Sequence, residues 1–274
     1  MDWSGIITNL NNGLQEFNGR YQEILNIITN PIETYMGGNI YRVVEDINGG
    51  LKAIGYSLVV VFGLISYMKS SITFQDMKRP EQYLRMVLHF ILGKGAIDFG
   101  MPLMLLIFNT GLQVITSMAT RMGAATSFTV PSEISSAVSS MTGLFDGLFP
   151  YLVSFICNII IMAISMVILL TVYGRFFKVY MYLAIAPIPL STFAGEGTSQ
   201  MGQTFLKSFL GVCLEGALIV LACIIFQNYA TSPPVVEGDA TSMIFKYMGQ
   251  NIFNMLVLLG VIKATDRVVK EMGF

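Results

Sequence analysis

The chain has 274 residues, of which only 12% are charged, against about 25% for an ordinary soluble domain. Hydrophobic residues make up 54% and the mean hydropathy is +0.65, which excludes a disordered chain and leaves too few charges to clothe a soluble one. The net charge of −1 excludes a basic nucleic-acid-binding surface.

Uncharged runs cover residues 53–68, 99–120, 147–174, 179–195, 216–236 and 247–262. Several reach the roughly 17–25 residues that a spanning helix needs, so the chain reads as an all-α polytopic membrane protein. Cys157, Cys213 and Cys223 all fall inside these runs and read as small buried apolar residues. Residues 1–30 lack the basic start and unbroken apolar core of a secretory signal, so the first span is expected to act as its own insertion signal.

The N-terminal region instead carries a seam. Trp3, Ile7, Leu10, Leu14, Phe17, Tyr21, Ile24 and Ile28 recur at spacings of four and three, the a/d pattern of a helix that packs on another helix. Asn9, Asn12, Gln15, Gln22 and Asn26 occupy other faces, and Asn30-Pro31 ends the pattern. Such a stripe suits the protein's own bundle, an oligomer contact or a partner subunit. Residues 1–50 are expected to form extracytoplasmic amphipathic helices, with a turn at Gly37-Gly38-Asn39 and a bend at Gly49-Gly50.

The remainder, 51–274, reads as the transmembrane domain. The first span is expected at about 51–70, followed by a loop with Lys69, Lys78, Arg79 and Arg85. An interfacial helix at 81–93 leads to a second span at about 95–118. Lys94 and Asp98 stand four residues apart, which predicts a neutralising pair on one helix face. An outer loop at 119–148 contains a short amphipathic helix from Glu133 to Leu148. The third span, at about 149–174, ends at Arg175 and Lys178. In 179–195, Pro187 and Pro189 remove backbone donors, so that segment is expected to be broken and covered by protein or water. Further spans are expected at about 207–229 and 244–263, separated by an acidic outer loop at 230–243.

Orientation follows from the cations. If 179–195 enters and returns without crossing, eleven cations fall inside: Lys69, Lys78, Arg79, Arg85, Lys94, Arg175, Lys178, Lys207, Lys263, Arg267 and Lys270. Five fall outside: Arg20, Arg42, Lys52, Arg121 and Lys246. This favours five spans in the cytoplasmic membrane, N-terminus out and C-terminus in; six spans is the alternative.

The search for chemistry is largely negative. One histidine, His89, cannot build a His-based metal site, and no metalloprotease, serine-hydrolase or phosphate-loop motif occurs. Glu215 is the second intramembrane carboxylate and has no sequence-local cation; an ionised group at that depth is either paired or functional. A mid-membrane carboxylate beside a broken segment at Pro187 would also suit a small-solute transporter or channel, though no earlier proline-broken repeat accompanies it.

Arg175-Phe-Phe-Lys-Val-Tyr-Met-Tyr-Leu-Ala-Ile-Ala-Pro-Ile-Pro-Leu-Ser-Thr-Phe-Ala-Gly-Glu-Gly-Thr198, continuing into Phe205-Leu-Lys-Ser-Phe-Leu-Gly-Val-Cys-Leu-Glu-Gly216, resembles the TrbL-type family of conjugal transfer proteins, in the form found on Gram-positive integrative conjugative elements. The resemblance implies a non-enzymatic, cofactor-free membrane subunit of a type IV secretion machine that helps move single-stranded DNA with its relaxase. It further implies partners: membrane lipid, copies of itself, other secretion subunits including the ATPases, and at most weak contact with the DNA near 69–94. Apart from the resemblance, the charges, prolines and small residues near the spans mark Lys94, Asp98, Arg175, Lys178, Pro187, Pro189, Gly195 and Glu215 as candidate structural or functional membrane residues.

Overall fold

The computed structural model describes residues 3–72, 80–121, 128–141, 144–195, 197–230 and 240–274. The loop cations Lys78 and Arg79 and most of the acidic stretch 230–243 lie outside the described residues. The chain is an all-α membrane protein, with no strand among the described residues. Its helices are α1 (Ser4–Thr29), α2 (Asn39–Ile72), α3 (Pro80–Arg121), α4 (Ser132–Ser139), α5 (Leu144–Ile185), α6 (Pro187–Leu190), α7 (Ser199–Ala230) and α8 (Ala240–Glu271). Short 3₁₀ turns occupy Tyr35–Gly38 and Ser191–Ala194.

Four helical stretches are long and apolar enough to cross a membrane: Tyr35–Met68, Met86–Thr120, Gly147–Ile185 and Ser199–Ala230. The α8 helix, where a fifth span was expected at about 244–263, is not among them; Gln250, Asn251 and Asn254 dilute its apolar run.

Several expected breaks are absent. Gly49 and Gly50 lie within α2, and the interfacial helix at 81–93 is continuous with the span after it, as α3. Glycine weakens a helix by only about 1 kcal/mol, and in apolar surroundings an unmade backbone bond costs more. A Cβ at either Gly49 or Gly50 would meet nothing within 4 Å. Gly49→Ala and Gly50→Ala are therefore expected to raise thermal stability in detergent by up to about 1 kcal/mol each. A loss of stability at either position would show that the bend is needed. The amphipathic helix expected from Glu133 to Leu148 divides into α4, which buries Ile134 and Val138, and the start of α5.

The helices form two compact units. The first comprises Met1–Thr29, Ile115–Gly174 and Leu218–Arg267. Here the α1 seam is buried along Leu10, Leu14, Phe17, Tyr21, Ile24 and Ile28, with Ile6 and Ile27 beside it and Trp3 and Ile7 half-buried. Phe17 packs edge-on against Phe128 and Phe226, with ring centres 5.6 and 6.2 Å apart. The Tyr21 hydroxyl donates to the Cys223 carbonyl at 3.0 Å, and the Asn18 amide both donates to and accepts from the Phe128 backbone. Such apolar side chains each contribute about 1.5–3 kcal/mol relative to exposure in water. The seam is thus covered by the chain's own helices, the first of the three covers open to such a stripe. A 3.5-residue stripe reports that a helix is covered, not by what.

The helix α1 also runs lengthwise beside α5. Gly5 lies at Tyr151, Asn9 Nδ2 donates to Ser154 Oγ at 3.2 Å, Gly13 lies at Asn158, and the Tyr173 hydroxyl donates to Glu23 at 3.1 Å. Residues 4–29 therefore accompany α5 along its uncharged run.

The second unit comprises Asn30–Val114, Arg175–Ala217 and Val268–Phe274. Its α2 and α3 pack antiparallel: Gly63 meets Phe90, Val59 packs with Ile97, and Asn109 reaches back to Glu33 at 3.0 Å. The turn before α2 uses Gly37 and Gly38 at φ of 73° and 75°, a region glycine enters without strain.

Candidate functional site

The segment expected to be broken, 179–195, is α-helical over its first part and changes to a short helix and a 3₁₀ turn in its second. The helix α5 continues through Arg175 and Lys178 to Ile185, and the chain breaks only at Ala186-Pro187. Proline has no N–H, so Pro187 leaves the Leu183 carbonyl without its helical donor. Asn48 of α2, only 2% exposed, supplies one: its Nδ2 donates to that carbonyl at 2.7 Å. The hydroxyls downstream serve the same need. Ser191 donates to the Ile188 carbonyl at 2.6 Å, Thr192 to Pro189 at 2.7 Å, and Thr198 to Thr192 at 2.8 Å. The backbone keeps helical dihedrals at Ala186, Leu190 and Ser191 and becomes extended at Gly195, and carbonyls that lose their α-helical donors in an apolar setting persist when they are satisfied in this way.

Bare helix backbone seats the segment. Val59 and Phe62 of α2, Ile97 of α3 and Ala194 form a small apolar core under it. A Cβ on Gly55 would stand 2.9 Å from the Pro187 carbonyl oxygen, and one on Gly93 would stand 2.6 Å from Ala194 Cβ. A Cβ on Gly100 would overlap Leu190. Pro187, Leu190, Ser191, Thr192, Ala194 and Gly195 are buried as a result, whereas Pro189 is half-buried.

About three helical turns before Pro187, still within α5, lies a charged cluster. Arg175 is 3% exposed, its Nε donates to the Val212 carbonyl at 3.0 Å and its Nη2 to the Cys213 carbonyl at 3.2 Å. Carbonyls already bonded within α7 keep a second lone pair, and the planar guanidinium fork matches two successive ones. Gly216 leaves the room: a Cβ there would overlap the guanidinium. Lys178, one turn on, brings its Nζ to 4.0 Å from Glu215 Oε2. Glu215 thus gains from another helix the cation its own neighbourhood lacks. A buried charge is costly alone and tolerable when paired and hydrogen-bonded.

The structure brings Arg175, Lys178 and Glu215 together and seats Pro187 and Gly195 beside α2 and α3. It does not bring Lys94 to Asp98. Lys94 is exposed, and the Asp98 carboxylate accepts a short hydrogen bond from the Tyr56 hydroxyl of α2. Spacing on one helix cannot foresee an acceptor's partner on the next. Arg175, expected at the end of the third span, lies inside α5 and is buried.

Asn48, Gly55, Gly93 and Tyr56 went unmarked in the sequence. For Asn48 a signal existed, since a buried Pro187 demands a donor for Leu183. His89 lines an open, mainly apolar groove of about 640 Å³ with Leu92, Phe99, Leu190 and Phe193. The three cysteines are free and buried.

This arrangement holds backbone and balances charge; among the described residues no cluster could hold a metal ion. No curated protein and no solved structure matches the chain. Residues 39–187 match the family described as TrbL/VirB6 plasmid conjugal transfer like protein, over more than half of the chain, and the chain belongs to that family.

Proposed function

We propose that the chain is a non-enzymatic platform or channel component of a conjugative type IV secretion machine in the cytoplasmic membrane. There it helps single-stranded DNA with its attached relaxase leave the donor cell. The carrying observation is the family match over 39–187, which takes in α2, α3 and α5 up to the break. The seat built by Asn48, Gly55 and Gly93 gives that region a fixed interior on which other subunits can assemble. Copies of the chain and the machine's ATPases are the proposed partners, and the basic tail with Lys263, Arg267 and Lys270 is the proposed cytoplasmic end.

The test is an in-frame deletion in a donor strain, complemented in trans. Transfer frequency should fall to background and be restored by the intact chain, while relaxase nicking at the transfer origin continues. Affinity purification in mild detergent should retain a transfer ATPase. Transfer that persists in the deletion strain would overturn the reading, as would stabilisation of the purified protein by a small solute with no effect on transfer.

A further inference from the structure

The first unit places a polar helix where lipid is expected. From Tyr151 to Tyr173, α5 rises roughly 33 Å at 1.5 Å per residue, about the thickness of a bilayer's hydrocarbon core. The α5 residues exposed along this stretch are apolar: Leu152, Phe155, Ile156, Ile159, Met162, Met166 and Leu170. The helix α1 keeps register with the same stretch, from Gly5 at Tyr151 to Glu23 at Tyr173.

Its outward face is of the opposite kind. Ser4, Thr8, Asn12, Gln15, Gly19, Gln22 and Asn26 recur at spacings of three and four, and all are exposed. Beside this stripe Arg20 bridges Glu16 at 2.9 Å and Glu23 at 3.0 Å, each side chain about one-third exposed. An amide turned into hydrocarbon without a partner costs several kcal/mol, and a charge costs more. A face carrying the exposed amides of Asn12, Gln15 and Gln22 and a charged triad cannot rest against acyl chains.

We propose that the outer face of α1 lines a water-filled path at bilayer depth, with Asn12, Gln15 and Gln22 as its uncharged polar wall. Water is the occupant because the amides supply donors and acceptors but no recognition geometry. The triad's one cation is held by its two carboxylates, and the remaining net charge of −1 offers an anionic polymer no binding site. Such a surface lets a polar or charged polymer pass without trapping it. The proposal concerns the surroundings of α1 and goes beyond the reading of what is transported.

The test compares two positions at one depth. Gly13 lies at Asn158, so Gln15 of α1 and Ile159 of α5, both exposed, stand at nearly the same level. Single Gln15→Cys, Asn12→Cys and Ile159→Cys variants in membrane vesicles are treated with a charged, membrane-impermeant methanethiosulfonate, opened to both faces. The unsubstituted protein, whose three thiols are buried, sets the background. Q15C and N12C should react faster than I159C by about tenfold or more, since the attacking thiolate forms in water and is suppressed in apolar surroundings. Fast reaction at all three would put the level outside the hydrocarbon core and overturn the proposal. Slow reaction at Q15C and N12C would show their face sealed by lipid or by another chain, and would overturn it equally.

Discussion

Replacing Arg175 by alanine is expected to destabilise the detergent-solubilised protein by about 2–4 kcal/mol and to reduce transfer in a complemented donor. The estimate combines two hydrogen bonds from a charged donor, about 1.5–3 kcal/mol each, with the void left at a buried site, offset by relief of the guanidinium's own desolvation. The carbonyls of Val212 and Cys213 lie inside α7, so they are not orphaned by the loss. What is lost is the link from α5 to α7 and one of the cations near Glu215. Lys178 remains, but its side chain is 42% exposed and a pair at 4.0 Å in that setting is worth little. Arg175→Met separates charge from volume, because it keeps most of the apolar stem. It should recover part of the packing loss and none of the link, and pairing it with Glu215→Gln should cost less than the two changes summed. If R175M melts with the unsubstituted protein, the guanidinium is filler and the α5–α7 link has no energetic weight. Gly216→Ala supplies an independent check, since its methyl displaces the guanidinium without removing it.

The residues that carry this prediction show where sequence reading stopped. Hydropathy and the two prolines at 187 and 189 located the break to within a few residues, because a missing N–H is a local fact. Arg175 and Lys178 were read as the end of a span because isolated cations at that depth are costly. The structure lets α5 run on to Ile185 because Val212, Cys213 and Glu215 answer those cations from another helix. Those partners lie tens of residues away, and no periodicity encodes them. The α1 seam had the same defect: its buried stripe was plain at 3.5-residue spacing, while its cover by Phe128, Cys223 and Phe226 was not. The family resemblance was drawn from 175–216, yet the match covers 39–187, so most of the stretch that suggested the family lies beyond it. That match instead takes in the helices whose glycines seat the break, a role that spacing alone did not reveal.

The seat itself makes the second strong prediction. On α3, Gly93 and Gly95 are two residues apart and face different surroundings. A methyl on Gly93 would lie 2.6 Å from Ala194 Cβ and 2.8 Å from both Ala194 Cα and N; a methyl on Gly95 would meet nothing within 4 Å. Flexible side-chain ends can move aside, but Ala194 offers backbone fixed by the turn that Thr192, Gly195 and Thr198 close. Gly93→Ala is therefore expected to cost about 3 kcal/mol, at the upper end of overpacking penalties, and to depress transfer. Gly95→Ala should be neutral or stabilise by up to about 1 kcal/mol through helix propensity. Adding Ala194→Gly to G93A removes the closest contact and leaves the two backbone contacts at 2.8 Å, so rescue should be partial. Complete rescue would mean that only methyl groups collide and that the backbone of the break is free to shift. Equal melting of G93A and G95A would mean that the turn yields to the added methyl and that Gly93 is not a fixed part of the seat.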